Sequence, residues 1–179
     1  VLDAVDTDRF SPAAVTDAER AELRQLFGIP ESARVIVYLG LLAPYQGADL
    51  LLEAAQRVLT HEPNAFFLVM GFPGNERYRL KAKSLGLGRH MSFPGRIPYA
   101  DAHRYLALGE VAVAPKMSLT EGNGKLYNYM AMGLPVVAFD APANREILGD
   151  LGVYAPLGDA AAFADRILWL LERPEQAVA

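Results

Sequence analysis

The hydrophobic residues of this chain form six short runs, separated by stretches with helical spacing. The first run, residues 34–39 (RVIVYL), is almost continuously apolar and lacks the alternation of a half-exposed strand. Such runs are typical of parallel strands that are buried on both faces of a sheet. Comparable runs predict five further strands, at residues 65–70, 91–93, 111–114, 135–139 and 152–155.

Between these runs, apolar residues recur at intervals of three and four, which predicts helices. The pair Thr16 and Glu19 has the spacing of a capping box and predicts the start of the first helix. A helix is also expected around residues 100–108. Asp159 is predicted to cap the last helix, whose apolar stripe is Phe163, Ile167, Leu170 and Leu171.

This alternation predicts an α/β fold with a doubly wound, mostly parallel six-stranded sheet and helices on both faces. We expect residues 1–15 to be a linker and residues 16–174 to form one domain. The chain begins with Val1 and not with Met, which indicates a piece of a longer protein.

Composition excludes several classes of function. The formal net charge is −4 and the basic residues are scattered, which argues against broad nucleic-acid binding. Without cysteine, disulfides, thiol catalysis and cysteine-zinc sites are excluded, and His61, His90 and His103 lack the spacing of a metal pair. No apolar run approaches the ~18 residues of a membrane span and no signal-peptide pattern is present, so a cytoplasmic domain is expected.

In doubly wound sheets, ligands bind beyond the carboxyl ends of the strands. This rule selects the loops at residues 40–47, 71–75, 95–99 and 115–125, all of which contain glycine or proline. Three familiar motifs are missing: G-x-G-x-x-G after the first strand, the P-loop and G-x-S-x-G. A nicotinamide dehydrogenase, a P-loop NTPase and a serine hydrolase are therefore unsupported.

The segment from Gly122 to Lys125 (GNGK) is the strongest candidate for an anion site. It enters a predicted helix, so its amides, the helix dipole and the lysine all favour negative charge. Lys116, at the end of the same strand, is expected to face the same crevice. The alternative is a solvated loop whose glycines serve only turn geometry.

Two polar residues flank this turn. Glu121 would be repelled by a phosphate, so its carboxylate suits ligand hydroxyl groups; alternatively it is an acid favoured by the helix dipole. Asn128, one turn after Gly124, both donates and accepts hydrogen bonds. It is predicted to bind a ribose or sugar hydroxyl pair, or else to cap local backbone.

With these residues placed, the chain resembles the C-terminal, nucleotide-sugar-binding half of a GT-B glycosyltransferase of the group 1 (GT4) family. The specific blocks are residues 91–115 (MSFPGRIPYADAHRYLALGEVAVAP) and 120–140 (TEGNGKLYNYMAMGLPVVAFD), with NREILGD at 144–150. GLLAPYQGADLLLEA (40–54) also contributes, and VDTDRFSP (5–12) is suggestive.

The resemblance implies a Rossmann-like domain and transfer of a hexose-type sugar from a UDP-, GDP- or ADP-sugar with retention of configuration. It implies no bound metal or other cofactor, and a glycan or lipid-linked acceptor held by an N-terminal domain that this chain lacks. This chain alone is therefore expected to be inactive. Peripheral membrane association of the full-length protein at the cytoplasmic face is a further expectation.

Carried over to this chain, the resemblance implies a catalytic role for Glu121. It implies donor binding by Gly40, Gln46, Lys116, Gly122, Asn123, Gly124, Lys125, Leu126 and Asn128.

The chain departs from the family pattern at charged positions. The usual arginine and lysine of the first loop are replaced by Leu41 and Gln46. The family usually carries two glutamates separated by seven residues, and Asn128 occupies the second of these positions. Counting back from Asn128, the first acid falls on Thr120, next to Glu121. We hypothesise that Lys125, Lys116 and the turn amides replace the lost cations. A non-catalytic nucleotide-binding or regulatory module, an epimerase and a phosphorylase remain alternatives.

Overall fold

Six parallel strands form one sheet in the computed structural model, which describes residues 4–176. The strands are β1 Arg34–Gly40, β2 Ala65–Gly71, β3 Met91–Ser92, β4 Val111–Ala114, β5 Val136–Phe139 and β6 Val153–Ala155. Their spatial order is β3-β2-β1-β4-β5-β6, and every neighbouring pair is parallel. The predicted fold class is confirmed. The order reverses between β1 and β4, which places the ligand crevice of such folds above these two strands.

Seven α-helices cover the two faces of this sheet in the described part of the chain. They are α1 Asp17–Leu26, α2 Ala48–His61, α3 Asn75–Ser84, α4 Ala102–Leu106, α5 Lys125–Ala131, α6 Pro142–Leu148 and α7 Ala160–Glu172. Helices α2, α3 and α7 pack into one core cluster. Helices α1, α4, α5 and α6 pack into the other.

The first strand shows why the apolar runs are continuous. Ile36 and Tyr38 belong to the core beneath α2 and α7, whereas Val35 and Val37 belong to the core on the opposite face. Successive side chains of a strand point to opposite faces, so a strand covered on both sides needs apolar residues at every position.

Both predicted helix caps are present. The Thr16 side chain accepts a hydrogen bond from the Glu19 amide, and the Glu19 carboxylate accepts one from the Thr16 amide at 2.9 Å. The Asp159 carboxylate accepts from the Ala162 amide at 2.8 Å. These bonds satisfy amides that a helix start leaves free. The apolar stripe predicted for α7 is buried along its whole length.

The helix expected at residues 100–108 is shorter than predicted. A 3₁₀ turn, Tyr99–Asp101, precedes α4, and the amides of Leu108 and Gly109 bond to carbonyls three residues back. Such bonds tighten and end an α-helix. Gly109 sits so close to β1 that a Cβ there would lie 2.7 Å from Val37. The helix therefore ends early, and the chain continues into β4.

The N-terminal segment packs on the domain through Phe10. This side chain is fully buried, with its ring centroid 5.1 Å from that of Tyr99 and 5.9 Å from that of His103. Residues 1–3 of the segment lie outside the described residues. That residues 1–15 act as a linker stays a prediction.

Candidate functional site

Two loops pack closely against each other at the carboxyl ends of β1 and β4. Gly47, in the β1–α2 loop, has a φ of 75° and lies so close to the β4–α5 loop that a Cβ would stand 1.8 Å from the Pro115 carbonyl oxygen. The Met117 amide donates a hydrogen bond to the Tyr45 carbonyl at 2.9 Å. Only glycine fits this approach, because its φ is positive and it has no Cβ.

Lys125 extends from the start of α5 into the space between these loops. Its Nζ donates a hydrogen bond to Gln46 Oε1 at 3.1 Å and lies 4.6 Å from the Tyr38 ring centroid. A Cβ on Gly40 would come within 2.6 Å of this Nζ, so the glycine makes room for the ammonium. Three of the predicted site residues, Gly40, Gln46 and Lys125, are thus brought together.

The surroundings of Lys125 disfavour its positive charge. Burial of the ammonium and, to a lesser extent, repulsion from Lys116 together lower the pKa of Lys125 to about 7. Desolvation acts this way because low dielectric destabilises the charged form. Among residues 4–176, no carboxylate lies within ion-pair distance of this ammonium. The Lys125 amine therefore contacts a neutral amide and an aromatic face, and no carboxylate of the described residues pairs with it.

Lys116 has a different environment, although sequence reasoning placed the two lysines in the same role. It is 5% exposed, and its Nζ donates to the carbonyls of Gly122 at 2.7 Å and Glu121 at 3.4 Å. The same Nζ lies 3.1 Å from Glu121 Oε2. An ammonium has three N–H donors, and here three oxygens of the turn face them. The Lys116 ammonium therefore ties the turn in place in this conformation.

Glu121 lies at the outer side of the same turn. Its carboxylate pairs with Lys116, its side chain is 59% exposed, and its amide donates to Ser118 Oγ at 3.3 Å. The ion pair joins a nearly buried lysine to this exposed carboxylate. The carboxylate is thus held near the crevice and stays open to solvent.

The Asn123 side chain turns away from solvent into a buried amide pair. Its Nδ2 donates to Asn144 Oδ1 at 2.8 Å, and Asn144 Nδ2 donates to the Phe139 carbonyl at 2.8 Å. This chain of bonds fixes the glycine-rich turn to the end of β5 and to α6. Leu126 is also fully buried, within the core. Direct donor contacts by Asn123 and Leu126 remain predictions.

Asn128 is buried beside a partner that sequence reasoning missed. Its Oδ1 accepts a hydrogen bond from the Tyr99 hydroxyl at 2.9 Å, and Tyr99 is itself 54% exposed. Tyr129, on the same helix, accepts from the Leu39 amide at 2.8 Å through its hydroxyl and lies 3.3 Å from the Val113 carbonyl. Tyr99 precedes Asn128 by 29 residues, so no local pattern marks the pair.

A cavity of about 240 Å³ adjoins Gly40 at the carboxyl edge of the sheet. It lies between the ends of β1 and β2 and residues 95–97, and the Arg96 guanidinium stands 5.1 Å from the exposed Phe72 ring centroid. A second cavity, about 310 Å³, lies at the opposite edge near Arg34 and contains none of the predicted site residues. The crevice rule favours the first cavity.

The dipole of α5 adds little positive charge at this edge. Helix α5 has seven residues, and Gly124 at its N-cap is in the helical region, with no side-chain cap. A helix this short adds a small dipole.

Residues 4–176 contain no cluster of three or more histidine, aspartate or glutamate side chains placed to hold a metal ion. Within the same part of the chain, no helix has the length and hydropathy needed to cross a bilayer.

Comparison with known proteins places this architecture in a family. Residues 19–179 match the family described as glycosyl transferases, group 1. EpsD of Bacillus subtilis is 34% identical over 96% of this chain and 44% of its own length. The phosphatidyl-myo-inositol mannosyltransferase of Mycobacterium leprae is 30% identical over 95% of this chain and 46% of its own length.

A solved structure shows the same fold. The Anabaena protein Alr3699/HepE, in complex with UDP and glucose, superposes with a TM-score of 0.83 at 20% identity, covering 98% of this chain and 48% of that protein. This chain thus spans less than half the length of the three proteins named above, and its fold is that of the C-terminal domain of a GT-B enzyme. The chain belongs to the group 1 family of glycosyltransferases.

Proposed function

We propose that this chain is the nucleotide-sugar donor-binding domain of a retaining hexosyltransferase, and that Lys125 holds the donor diphosphate. The observation that carries the proposal is the ammonium of Lys125, which lies at the topological switch point of the sheet without a carboxylate partner in residues 4–176. An isolated buried cation is costly, and an anionic ligand relieves that cost. The diphosphate of a nucleotide sugar is such a ligand.

The two lysines have unequal capacity to bind a phosphate. Lys116 already faces three oxygens of the turn, whereas Lys125 donates one hydrogen bond, to Gln46. Two N–H groups of Lys125 therefore remain for a ligand. This refines the hypothesis from sequence: Lys125 takes the diphosphate, and Lys116 shapes the turn.

The remaining contacts follow from the same crevice. Asn128, already bonded to Tyr99, is proposed to bind the ribose as a neutral group. Glu121, whose carboxylate is open to solvent, is proposed to accept hydrogen bonds from hydroxyls of the transferred sugar. Retention of configuration, the absence of a resident metal and a glycan or lipid-linked acceptor are carried from the family resemblance.

The whole enzyme is proposed to need a second, acceptor-binding domain. This chain covers 44% and 46% of the two relatives above. Catalysis requires donor and acceptor to be oriented together. We therefore propose that this chain binds donor but transfers no sugar alone, and that the full-length protein works at the cytoplasmic face of a membrane.

Thermal-shift measurements of this chain with UDP, GDP and ADP test the proposal and identify the base. A ligand at a hundredfold excess over its Kd stabilises the folded state by about 2.7 kcal/mol. We expect one nucleoside diphosphate to raise the Tm well above the other two. No shift with any of the three would contradict donor binding and favour a degenerate module.

A further inference from the structure

The environment of Lys125 couples ligand binding to protonation. The groups that face its ammonium come from three elements besides α5. Strand β1 supplies the Tyr38 ring, the β1–α2 loop supplies the Gln46 amide, and the β4–α5 loop supplies Lys116 with its paired Glu121.

None of the contacting groups carries a negative charge near neutral pH. Burial raises the pKa of Tyr38 above its ordinary value, so its hydroxyl stays neutral. Gln46 is neutral, and the carboxylate of Glu121 is directed to Lys116 at 3.1 Å. Lys116 is itself a like charge that opposes protonation of Lys125. The groups around Lys125 thus favour loss of its proton when no donor is bound.

We propose that Lys125 takes up a proton when the diphosphate of a nucleotide-sugar donor binds beside it. Binding of the donor thus generates the positive charge that pairs with its diphosphate. This inference rests on the proposed function. An opposite charge within ~4–6 Å raises a lysine pKa by roughly 1–3 units. In the folded chain without donor, Lys125 has a pKa of about 7, so about half of it is neutral at neutral pH. After donor binding nearly all of it is charged.

The coupling has a sign that is easy to measure. Binding takes up about half a proton at pH 7 and at least as much at pH 8, because less of Lys125 is protonated there before binding. Donor affinity therefore falls roughly threefold to fivefold between pH 7 and 8. An arginine at the same position stays charged throughout this range and takes up no proton.

The test is isothermal titration of this chain with UDP-glucose and GDP-mannose in buffers of different ionisation enthalpy. Sugar nucleotides are the right probes because free UDP has a terminal phosphate that titrates near neutrality. We expect the observed enthalpy to depend on the buffer with a slope of about half a proton at pH 7. The slope should vanish in Lys125→Arg and persist in Lys83→Met, which removes an exposed lysine of α3.

Each outcome is informative. Binding without buffer dependence in the wild-type chain overturns proton uptake and leaves the proposed function intact. A slope that persists in Lys125→Arg assigns the proton to another group and also overturns it. If Lys125→Arg binds no donor, Lys125→Met supplies the comparison through the pH dependence of its residual affinity, which should be flat. No binding of either probe by the wild-type chain contradicts the proposed function and this inference together.

Discussion

At the scale of single residues, the buried ammonium of Lys125 lowers the stability of the ligand-free domain. The pKa of Lys125, about 7, lies below the ~10.4 of an unfolded chain, so between these values the unfolded state binds more protons. The free energy of unfolding therefore rises with pH across this window. The destabilisation caused by Lys125 is fully present below about pH 7.

Lys125→Met should thus stabilise the ligand-free domain in acid. We expect an increase in the free energy of unfolding of roughly 1–4 kcal/mol at about pH 6, shrinking towards zero near pH 10. Urea unfolding across this range measures it, with Lys83→Met as the exposed control. A variant that is less stable than wild type at low pH would show that the ammonium is favourably solvated.

The buried pair Asn123–Asn144 belongs to the same scale. Each truncation to alanine leaves a buried amide without its partner, at a cost of about 1–3 kcal/mol. Because the two side chains bond to each other, the double variant should cost less than the sum by about 0.5–3 kcal/mol. Strict additivity in the double-mutant cycle would mean that the two asparagines act independently.

At the scale of elements, the β1–α2 and β4–α5 loops are joined through Gly47. Gly47→Ala meets both a positive φ and a Cβ position 1.8 Å from the Pro115 oxygen. Gly86 offers a matched control, because its φ is 79° and nothing lies within 4 Å of its Cβ position.

We expect Gly86→Ala to cost about 1 kcal/mol, from backbone conformation alone. Gly47→Ala should cost at least about 2 kcal/mol more and weaken nucleotide binding as well, because the displaced loop carries Gln46. Denaturant melts and nucleotide titrations of both variants make the comparison. Equal costs would show that the loops are not coupled through this contact.

The elements themselves follow largely from local pattern. Strands such as residues 34–39 are readable because double-sided burial demands continuous apolar residues, and the caps at Thr16 and Asp159 are local hydrogen-bonding patterns. The early end of α4 depends on the approach of Gly109 to Val37, which lies far away in the sequence. No periodicity encodes such a contact.

The site was less readable for the same reason. The sequence indicated that the candidate loops share one edge of the sheet, because the carboxyl ends of parallel strands collect there. The different contacts of Lys116 and Lys125 depend on where their two long side chains end. Tyr99 and Asn144, the hydrogen-bond partners of Asn128 and Asn123, come from other elements. Only the folded chain brings these groups together.

At the scale of the whole molecule, donor binding and sugar transfer should separate. This chain is expected to bind a nucleotide sugar yet release no nucleoside diphosphate from it in the presence of acceptors. A chromatographic assay of nucleotide release measures this, with the full-length enzyme as the positive control. Turnover by this chain alone would show that no second domain is needed.

The central claim is that Lys125 binds the diphosphate of the donor. Direct titration of this chain with the nucleoside diphosphate that raises its Tm, in wild type, Lys125→Ala and Lys83→Ala, tests it. A hydrogen bond to a charged group is worth about 1.5–3 kcal/mol, so the Kd should rise roughly tenfold to a hundredfold in Lys125→Ala and stay unchanged in Lys83→Ala. An unchanged Kd in Lys125→Ala would contradict the account.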